Sequence, residues 1–242
     1  EKEIRFSQID QVLQHLSCLD KQRIELVEEK SQVLVAIRTF LAISFPELER
    51  EISSFSAYLF CFFHRFPDAP AVTELTRKEF IKEFTNLLPP RTKNIKFDAQ
   101  KLYDMASRSI GRELPGHRFT MQMKIDRIIY LEKQIEAIDQ QQERLCLQHR
   151  EKEWKILRSI PGIGPISAAS ILSHLPDPEL FANYRKIIAY TGTDPILKDS
   201  GQRKGHAKIS KKGNSYLRRI LYWSATKVKK STKEFFKRSM SV

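Results

Sequence analysis

A seven-residue hydrophobic repeat near the start of the chain restricts the possible folds more than any other feature. Two series with this spacing are apolar at eight of their ten positions, and their members are Val12, Leu19, Leu26, Val33 and Phe40, then Ile9, Leu16, Arg23, Lys30 and Ile37. A helix with such a seam buries it against another helix. We therefore predict a long helix that ends before Pro46, in which Arg23 and Lys30 help to set the register.

A second apolar series, with alternating steps of three and four residues, follows from about residue 119. Its members are Ile128, Leu131, Ile135, Ile138, Gln142 and Leu145. Two long helices with matching seams can pack antiparallel on each other or across a dimer. Shorter helices are expected between them, near residues 73–88 and 97–110, and few stretches alternate as strands do.

The expected fold is therefore mainly α. Long antiparallel coiled-coil helices should occupy residues 1–150 as an oligomerisation region, and residues 151–242 should form a compact helical domain. No apolar stretch approaches the roughly 20 residues of a membrane helix, and no signal peptide is recognisable. The cysteines, Cys18, Cys61 and Cys146, lack metal-site spacing, so we expect reduced core thiols, a cytoplasmic location and no membrane partner.

Most of the net positive charge lies at the C-terminal end. The net charge is +13, and residues 202–242 contain 13 Lys or Arg against one acid, Glu234, so this segment carries +12. A basic surplus confined to one segment is typical of a nucleic-acid contact. A solvated charge run is the alternative, but the interleaved apolar residues, such as Leu217 and Trp223, argue against a disordered tail.

The residues at 161–165 read Pro-Gly-Ile-Gly-Pro and predict a sharp turn between two helices. The first helix should end at Ile160, and the second should begin near Ser167. In helix-hairpin-helix elements, the backbone N–H groups of such a turn bind a phosphate. Gly162 and Gly164 are therefore candidate nucleic-acid contacts, and the alternative is a tight helical corner without a ligand.

A glycine-rich and basic segment, residues 190–219, follows. Its first part should be a loop or short hairpin, and a basic helix should start after an N-cap at Asn214. Ser200 lies in an Asp-Ser-Gly turn before Arg203 and Lys204. Such cations could stabilise a phosphate under attack by the serine, although an ordinary turn serine has the same composition.

Residues 159–219 resemble the C-terminal domain of the IS110 group of transposases from bacterial insertion sequences. The matching motifs include Pro161-Gly162-Ile163-Gly164-Pro165, Ala189-Tyr190-Thr191-Gly192, Ser200-Gly201, Ile209-Ser210-Lys211-Lys212-Gly213-Asn214 and Leu217-Arg218-Arg219. More weakly, residues 45–48 and the long helices resemble the middle region of the group.

The resemblance implies an RNA-guided DNA transposase. In this group, an N-terminal RuvC-like domain holds Mg²⁺ through four acidic residues, and a C-terminal serine attacks DNA. That serine maps to Ser200, with Ser210 as the rival. The expected nucleic-acid contacts are Gly162, Gly164, Arg203, Lys204, Lys208, Lys211, Lys212, Arg218 and Arg219.

The chain opens directly on the helical region, so we expect the RuvC-like domain to lie outside it. We accordingly expect no metal site or other cofactor in this chain, and no strand transfer by this chain alone. The implied partners are element-end and target DNA, a guide RNA and further copies of the chain in a dimer or tetramer. The bacterial nucleoid is the expected location within the cytoplasm.

Two other classes of protein stay open. A helix-hairpin-helix DNA-repair glycosylase would need a catalytic Asp in an apolar pocket, and Asp177 and Asp199 are available. A coiled-coil adaptor that binds nucleic acid without catalysis would need neither a serine nucleophile nor a metal.

Overall fold

The computed structural model describes the backbone of residues 2–87, 98–113, 116–196 and 208–239, and the side chains of residues 11–87, 98–113, 116–196 and 208–229. The described fold is mainly α, as predicted, and its one sheet is a two-stranded hairpin. The elements are α1 (Lys2–Ser44), α2 (Pro46–Glu51), α3 (Ala57–Arg65), α4 (Ala69–Thr73), α5 (Arg77–Leu87), α6 (Ala99–Ser107), α7 (His117–His149), α8 (Glu151–Ser159), α9 (Pro165–His174), a 3₁₀ helix (Pro178–Leu180), α10 (Tyr184–Thr191), β1 (Pro195–Ile196), β2 (Lys208–Ile209) and α11 (Ser215–Ser239).

The chain divides into two compact units. Unit 1 comprises residues 1–25 and 135–242, and unit 2 comprises residues 26–134. The long helices α1 and α7 each contribute to both units. The sequence predicted a domain boundary at residue 150. That boundary stays a prediction, because the two units are defined by contacts and unit 1 combines two separate segments of the sequence.

Unit 2 is built around a phenylalanine-rich core. Phe45, Phe62, Phe63, Phe66 and Phe80 are fully buried, and the rings of Phe66 and Phe80 meet edge to face at 5.1 Å. Within this unit α1 and α7 run antiparallel, since Lys30 Nζ lies 2.6 Å from Glu132 Oε1 and, further along α1, the Phe40 ring lies 4.2 Å from the His117 ring. A coiled-coil geometry for these helices stays a prediction.

The polar residues of the predicted seam have partners on α7. Within unit 1, Arg23 Nε lies 2.5 Å from Asp139 Oδ1, and within unit 2, Lys30 pairs with Glu132. Leu16, Leu26 and Ile37, which belong to the two predicted series, are buried. The two long helices therefore supply each other's partners within one chain, and oligomerisation through their seams stays a prediction.

Unit 1 has a smaller core beneath α9. Leu16, Cys146 and Trp154 pack with Leu172 and Leu217, so residues of α1, α7, α8 and α11 surround α9. Gly192 ends α10 in the left-handed conformation with φ +66°, which glycine adopts without steric cost. This core fixes the positions of the helices that carry the candidate site.

Several helix boundaries differ from the sequence prediction. Residues 73–88 do not form a single helix, because α4 ends at Thr73 and α5 begins at Arg77. The break is a capping box, in which Glu79 Oε2 accepts from the backbone N–H of Thr76 at 2.9 Å. The helix predicted over 97–110 spans Ala99–Ser107, whereas α1 does end before Pro46, as predicted.

The cysteines and the hydropathy bear on two further expectations. All three cysteines are reduced. The expectation that they are core thiols is wrong for Cys18, which is exposed on α1, and holds for Cys146. Among the described residues, none of the helices has the length and apolarity to span a bilayer.

Candidate nucleic-acid interface

The predicted contact residues that the structure describes all belong to unit 1. Gly162 and Gly164 lie in the turn between α8 and α9, and Lys208 lies in β2. The remaining four occupy the connection from β2 into α11 and the first turns of that helix, and they are Lys211, Lys212, Arg218 and Arg219. Ser200, Arg203, Lys204 and Asp199 lie outside the described residues.

The hairpin is closed at its base by Ser210 and Asp194. Strand β1 pairs antiparallel with β2, with Pro195 opposite Ile209 and Ile196 opposite Lys208. The backbone N–H of Ser210 donates to Asp194 O at 2.9 Å, and its hydroxyl donates to Asp194 Oδ1 at 2.5 Å. Ser210 therefore has a structural role in joining the strand to the loop before it, whatever its part in chemistry.

The segment after β2 lies against the end of α10. Lys211 N–H donates to Gly192 O at 3.0 Å, and Asn214 N–H donates to Tyr190 O at 2.8 Å. A Cβ on Gly213 would overlap Tyr190 O and Gly192 N, so only glycine allows this approach. The last turn of α10 and the entry to α11 therefore form one framework.

Arg218 secures this framework from α11. Its guanidinium donates to Thr191 O at 3.1 Å and Gly213 O at 3.4 Å. The arginine thus satisfies carbonyl groups around the end of α10, where a cation is also favoured by the helix dipole. Arg218 was predicted as a phosphate contact, and these bonds supply a structural reason for a cation at the same position.

The lysines of the framework face solvent. Lys208, Lys211 and Lys212 are exposed. The backbone of Lys211 has φ +58°, a value that residues other than Gly, Asn and Asp rarely adopt. The hydrogen bond from Lys211 N–H to Gly192 O holds this conformation. This hydrogen bond keeps the chain turned tightly towards α11, with an exposed lysine at the bend.

Helix α11 begins as the sequence predicted. Asn214 Oδ1 accepts from the backbone N–H of Leu217 at 3.1 Å, which is an N-cap. One side of the helix is buried against unit 1 through Leu217 and Ser224. The other side exposes Tyr222 and Trp223. The sequence alone does not show that both rings are exposed, because this depends on how α11 packs.

The turn between α8 and α9 packs against α11. Gly162 has φ +87°, and a Cβ there would lie 2.9 Å from Val228 Cγ2. Arg158 Nη1 donates to Ile163 O at 2.8 Å within the same turn. Gly164 precedes α9, and a Cβ on it would meet nothing within 4 Å. Gly162 therefore has a packing requirement that Gly164 lacks, and a helix-hairpin-helix function for the turn stays a prediction.

A buried polar cluster beneath α9 was not anticipated from the sequence. His174 Nε2 lies 2.8 Å from Asp20 Oδ2, and both side chains are 3% exposed. Burial opposes ionisation of Asp20, but hydrogen bonds from His174, Ser170 and Gln142 outweigh it and lower the pKa of the carboxyl. The only signal in the sequence was Gln142 at an otherwise apolar seam position.

Asp177, considered as a glycosylase residue, accepts from Glu179 N–H at 2.9 Å and caps the 3₁₀ helix. Within the part of the chain that the structure describes, there is no group of three or more His, Cys, Asp and Glu residues that could hold a metal ion.

Comparison with known proteins identifies the C-terminal part of the chain. A family model described as transposase IS116/IS110/IS902 matches residues 154–239. This match supports an IS110-group transposase. The matched segment runs from within α8 to the end of α11, and it includes the hairpin base, the turn at Gly162 and the exposed lysines.

Of three similar proteins, two are named as transposases and the third is assigned to an insertion element. A Sinorhizobium fredii protein named as a transposase is 36% identical over 94 residues, which cover 38% of this chain and 24% of the relative. The transposase of insertion element IS1111A from Coxiella burnetii is 28% identical over 154 residues, or 62% of this chain and 42% of the relative. An uncharacterised protein of element IS116 from Streptomyces clavuligerus is 24% identical over 214 residues, or 87% and 52%. The chain thus spans about half or less of these relatives.

Proposed function

We propose that this chain is the part of an insertion-sequence transposase that holds the DNA backbone and supplies a serine nucleophile for strand transfer. The observation that carries the proposal is the segment from Lys208 to Lys229, which has seven Lys or Arg and no acid. Its first residues are bonded to the end of α10, so the exposed lysines lie on an ordered framework. Such cations neutralise phosphates and release counterions.

Ser200 is the proposed nucleophile. The support is its place in the Ser-Gly motif of the family, between two strands whose pairing the structure describes. In the proposed step, the Ser200 hydroxyl oxygen bonds to phosphorus, a P–O bond to deoxyribose breaks, and the hydroxyl proton leaves to the departing oxygen or water. The phosphoserine ester conserves the energy of the broken bond, so rejoining would need no nucleotide cofactor.

Ser210 is the alternative nucleophile. Its hydroxyl donates to Asp194 Oδ1, and a carboxylate that accepts a serine proton is also the arrangement of an activated nucleophile. Against this role, the same serine is half-buried at the base of the hairpin and also bonds through its backbone to Asp194. We therefore assign Ser210 to positioning, and the test must separate the two serines.

The remaining expectations about the assembly belong to the proposal. We propose that the whole transposase uses a guide RNA and acts as a dimer or tetramer. Mg²⁺ would act in a RuvC-like domain of the whole protein. The described residues do not fit that ion, because they contain no suitable cluster of ligands, and we assign no step here to a metal.

The decisive experiment is covalent trapping with the full-length transposase on labelled DNA that carries the element end. Ser200→Ala should abolish the protein–DNA adduct on a denaturing gel, while binding to the same DNA persists. Ser210→Ala should retain adducts at a reduced level, because it loosens the hairpin base without removing the nucleophile. Adducts that persist in Ser200→Ala and vanish in Ser210→Ala would transfer the role to Ser210.

Two outcomes would contradict the proposal that this chain supplies a serine nucleophile. DNA binding without any adduct in the unaltered protein, under conditions that support transposition, would favour the non-catalytic adaptor. Adducts that survive in the variant lacking both hydroxyls would place the nucleophile on another residue. Circular dichroism of each variant confirms that the fold is retained.

A further inference from the structure

The solvent side of α11 carries aromatic rings among cations. Leu217 and Ser224 are 1% and 5% exposed on the buried side, whereas Tyr222 and Trp223 are 64% and 58% exposed. Large aromatic side chains that are exposed together commonly mark a binding surface. The exposed pair belongs to the same helix as the cations that the proposed function assigns to phosphate binding.

Trp223 lies between two cations on one helical face. Arg219 precedes it by four residues and Lys227 follows it by four, and both are exposed. Residues four apart on a helix are neighbours on its surface. The Tyr222 ring meets the Trp223 ring edge to face at 5.7 Å and 73°. The indole is therefore flanked along the helix by positive charge and braced on one side by a second ring.

The base of this face is held by the buried polar cluster. His174 stacks on Tyr216 with ring centroids 4.9 Å apart and 9° between the planes. The guanidinium carbon of Arg219 lies 5.9 Å from the centre of the Tyr216 ring. These contacts position Arg219 before any ligand arrives, which reduces the entropy lost on binding.

The charge and chemistry of this face select the class of ligand. Residues 208–229 have no acid, which favours a polyanion over a protein of mixed charge. Base faces are hidden by stacking within a duplex, and an exposed indole can stack only on a base that has left its neighbours. Aromatic rings with flanking cations are the usual platform for single-stranded nucleic acid.

We propose that Trp223 stacks on an unpaired base, while Arg219 and Lys227 contact the phosphates on either side of that nucleotide. The inference rests on the proposed function, in which this segment binds nucleic acid, and adds that the bound strand is unpaired at this point. Unpaired DNA and unpaired RNA share this chemistry, and the test separates them.

The experiment compares variants of the 242-residue chain on labelled oligothymidylate, oligouridylate and a duplex of equal length. Trp223→Ala should weaken binding to single strands about tenfold, equivalent to about 1.4 kcal/mol, and binding to the duplex less than about twofold. Trp223→Phe should retain most of the affinity because it keeps a ring. The matched control is Tyr184→Ala, since Tyr184 is a similarly exposed ring beside Arg185 on α10.

Tryptophan fluorescence provides a second readout. The chain has two tryptophans, and Trp154 is buried in the unit 1 core. Single strands should quench the emission of the unaltered chain, and this quenching should disappear in Trp223→Phe while binding persists. Quenching by oligothymidylate alone or by oligouridylate alone identifies which unpaired strand binds, and either result supports the proposal.

Three results would overturn the inference. They are an unchanged single-strand affinity in Trp223→Ala, an equal loss on duplex and single strands, or a change in oligomeric state by light scattering without a change in binding. The last would assign the face to a protein contact. The proposed function would stand in all three cases if the unaltered chain binds the duplex, whereas an unaltered chain that binds none of the probes would overturn both.

Discussion

His174 Nε2 lies 2.8 Å from Asp20 Oδ2, and the two residues are 154 positions apart in the sequence. Because the pKa of Asp20 is lowered, the carboxylate is the acceptor and the imidazole N–H is the donor. His174 is also stacked on Tyr216 at the start of α11. Through His174, Asp20 of α1 is therefore linked to α11, the helix that carries the proposed nucleic-acid face.

Asp20→Asn should destabilise the chain by roughly 1–3 kcal/mol at neutral pH, because it replaces the buried carboxylate that accepts the hydrogen bonds of this site. The lowered pKa of Asp20 means that its contribution is fully present above the unfolded value, 3.8, and is lost as the pH falls through the lower folded value. Urea unfolding at several pH values should show the gap between the variant and the unaltered chain closing below about pH 4. A gap that stays constant across this range would contradict the role of the Asp20 charge.

Gly213→Ala should cost about 1–3 kcal/mol, because its Cβ would overlap backbone atoms that cannot move independently. Gly164→Ala is the matched control, and its effect should stay within about 0.5 kcal/mol, since a Cβ there meets nothing within 4 Å. Thermal or urea unfolding measures both changes. Similar effects in the two variants would show that the hairpin base and the end of α10 are not in close contact.

Lys211→Gly should change the salt dependence of DNA binding without a large change in stability. Glycine adopts the positive φ of Lys211 without strain, which stabilises the folded chain, but it also raises the conformational entropy of the unfolded chain. Because these two effects are similar in size and opposite in sign, the free energy of unfolding should change by less than about 1 kcal/mol. If about six phosphates are neutralised on duplex DNA, the log-affinity should fall with log salt at a slope near −5, and the variant should lower its magnitude by about 1.

Fluorescence anisotropy across a salt series measures this slope. Lys133→Gln is the control, because Lys133 is an exposed lysine of unit 2, outside the segment matched by the family. An unchanged slope in Lys211→Gly, or an equal change in the control, would mean that Lys211 does not contact a phosphate.

The cysteines should differ sharply in reactivity. Burial raises the pKa of the Cys146 thiol to about 12, with a smaller opposing effect of Arg150, so little thiolate forms at mildly alkaline pH. Cys18 is exposed and should react quickly with an aromatic disulfide reagent. Cys18→Ser should remove the fastest labelling phase, and denaturant should expose Cys146. Rapid labelling of Cys146 in the folded chain would contradict the packing of the unit 1 core.

Local signals along the sequence determined much of the secondary structure. Pro46 marked the end of α1, Asn214 marked the start of α11, and the seams at Leu16 and Leu131 predicted long helices that bury one side. Each of these features depends on residues within one or two turns, so composition and spacing are sufficient. The prediction at 73–88 was wrong because it took Thr73 as a helix start, whereas the capping box begins at Thr76.

The sequence by itself determined a mainly α chain with a family-specific basic segment at its C-terminal end. Only the tertiary structure decided that Arg218 bonds to carbonyls of the α10 framework, that Gly162 approaches Val228, and that Asp20 and His174 share one buried site. These relationships join residues that are distant along the chain. Their energies come from packing and from the removal of water, and both depend on which helices meet in three dimensions.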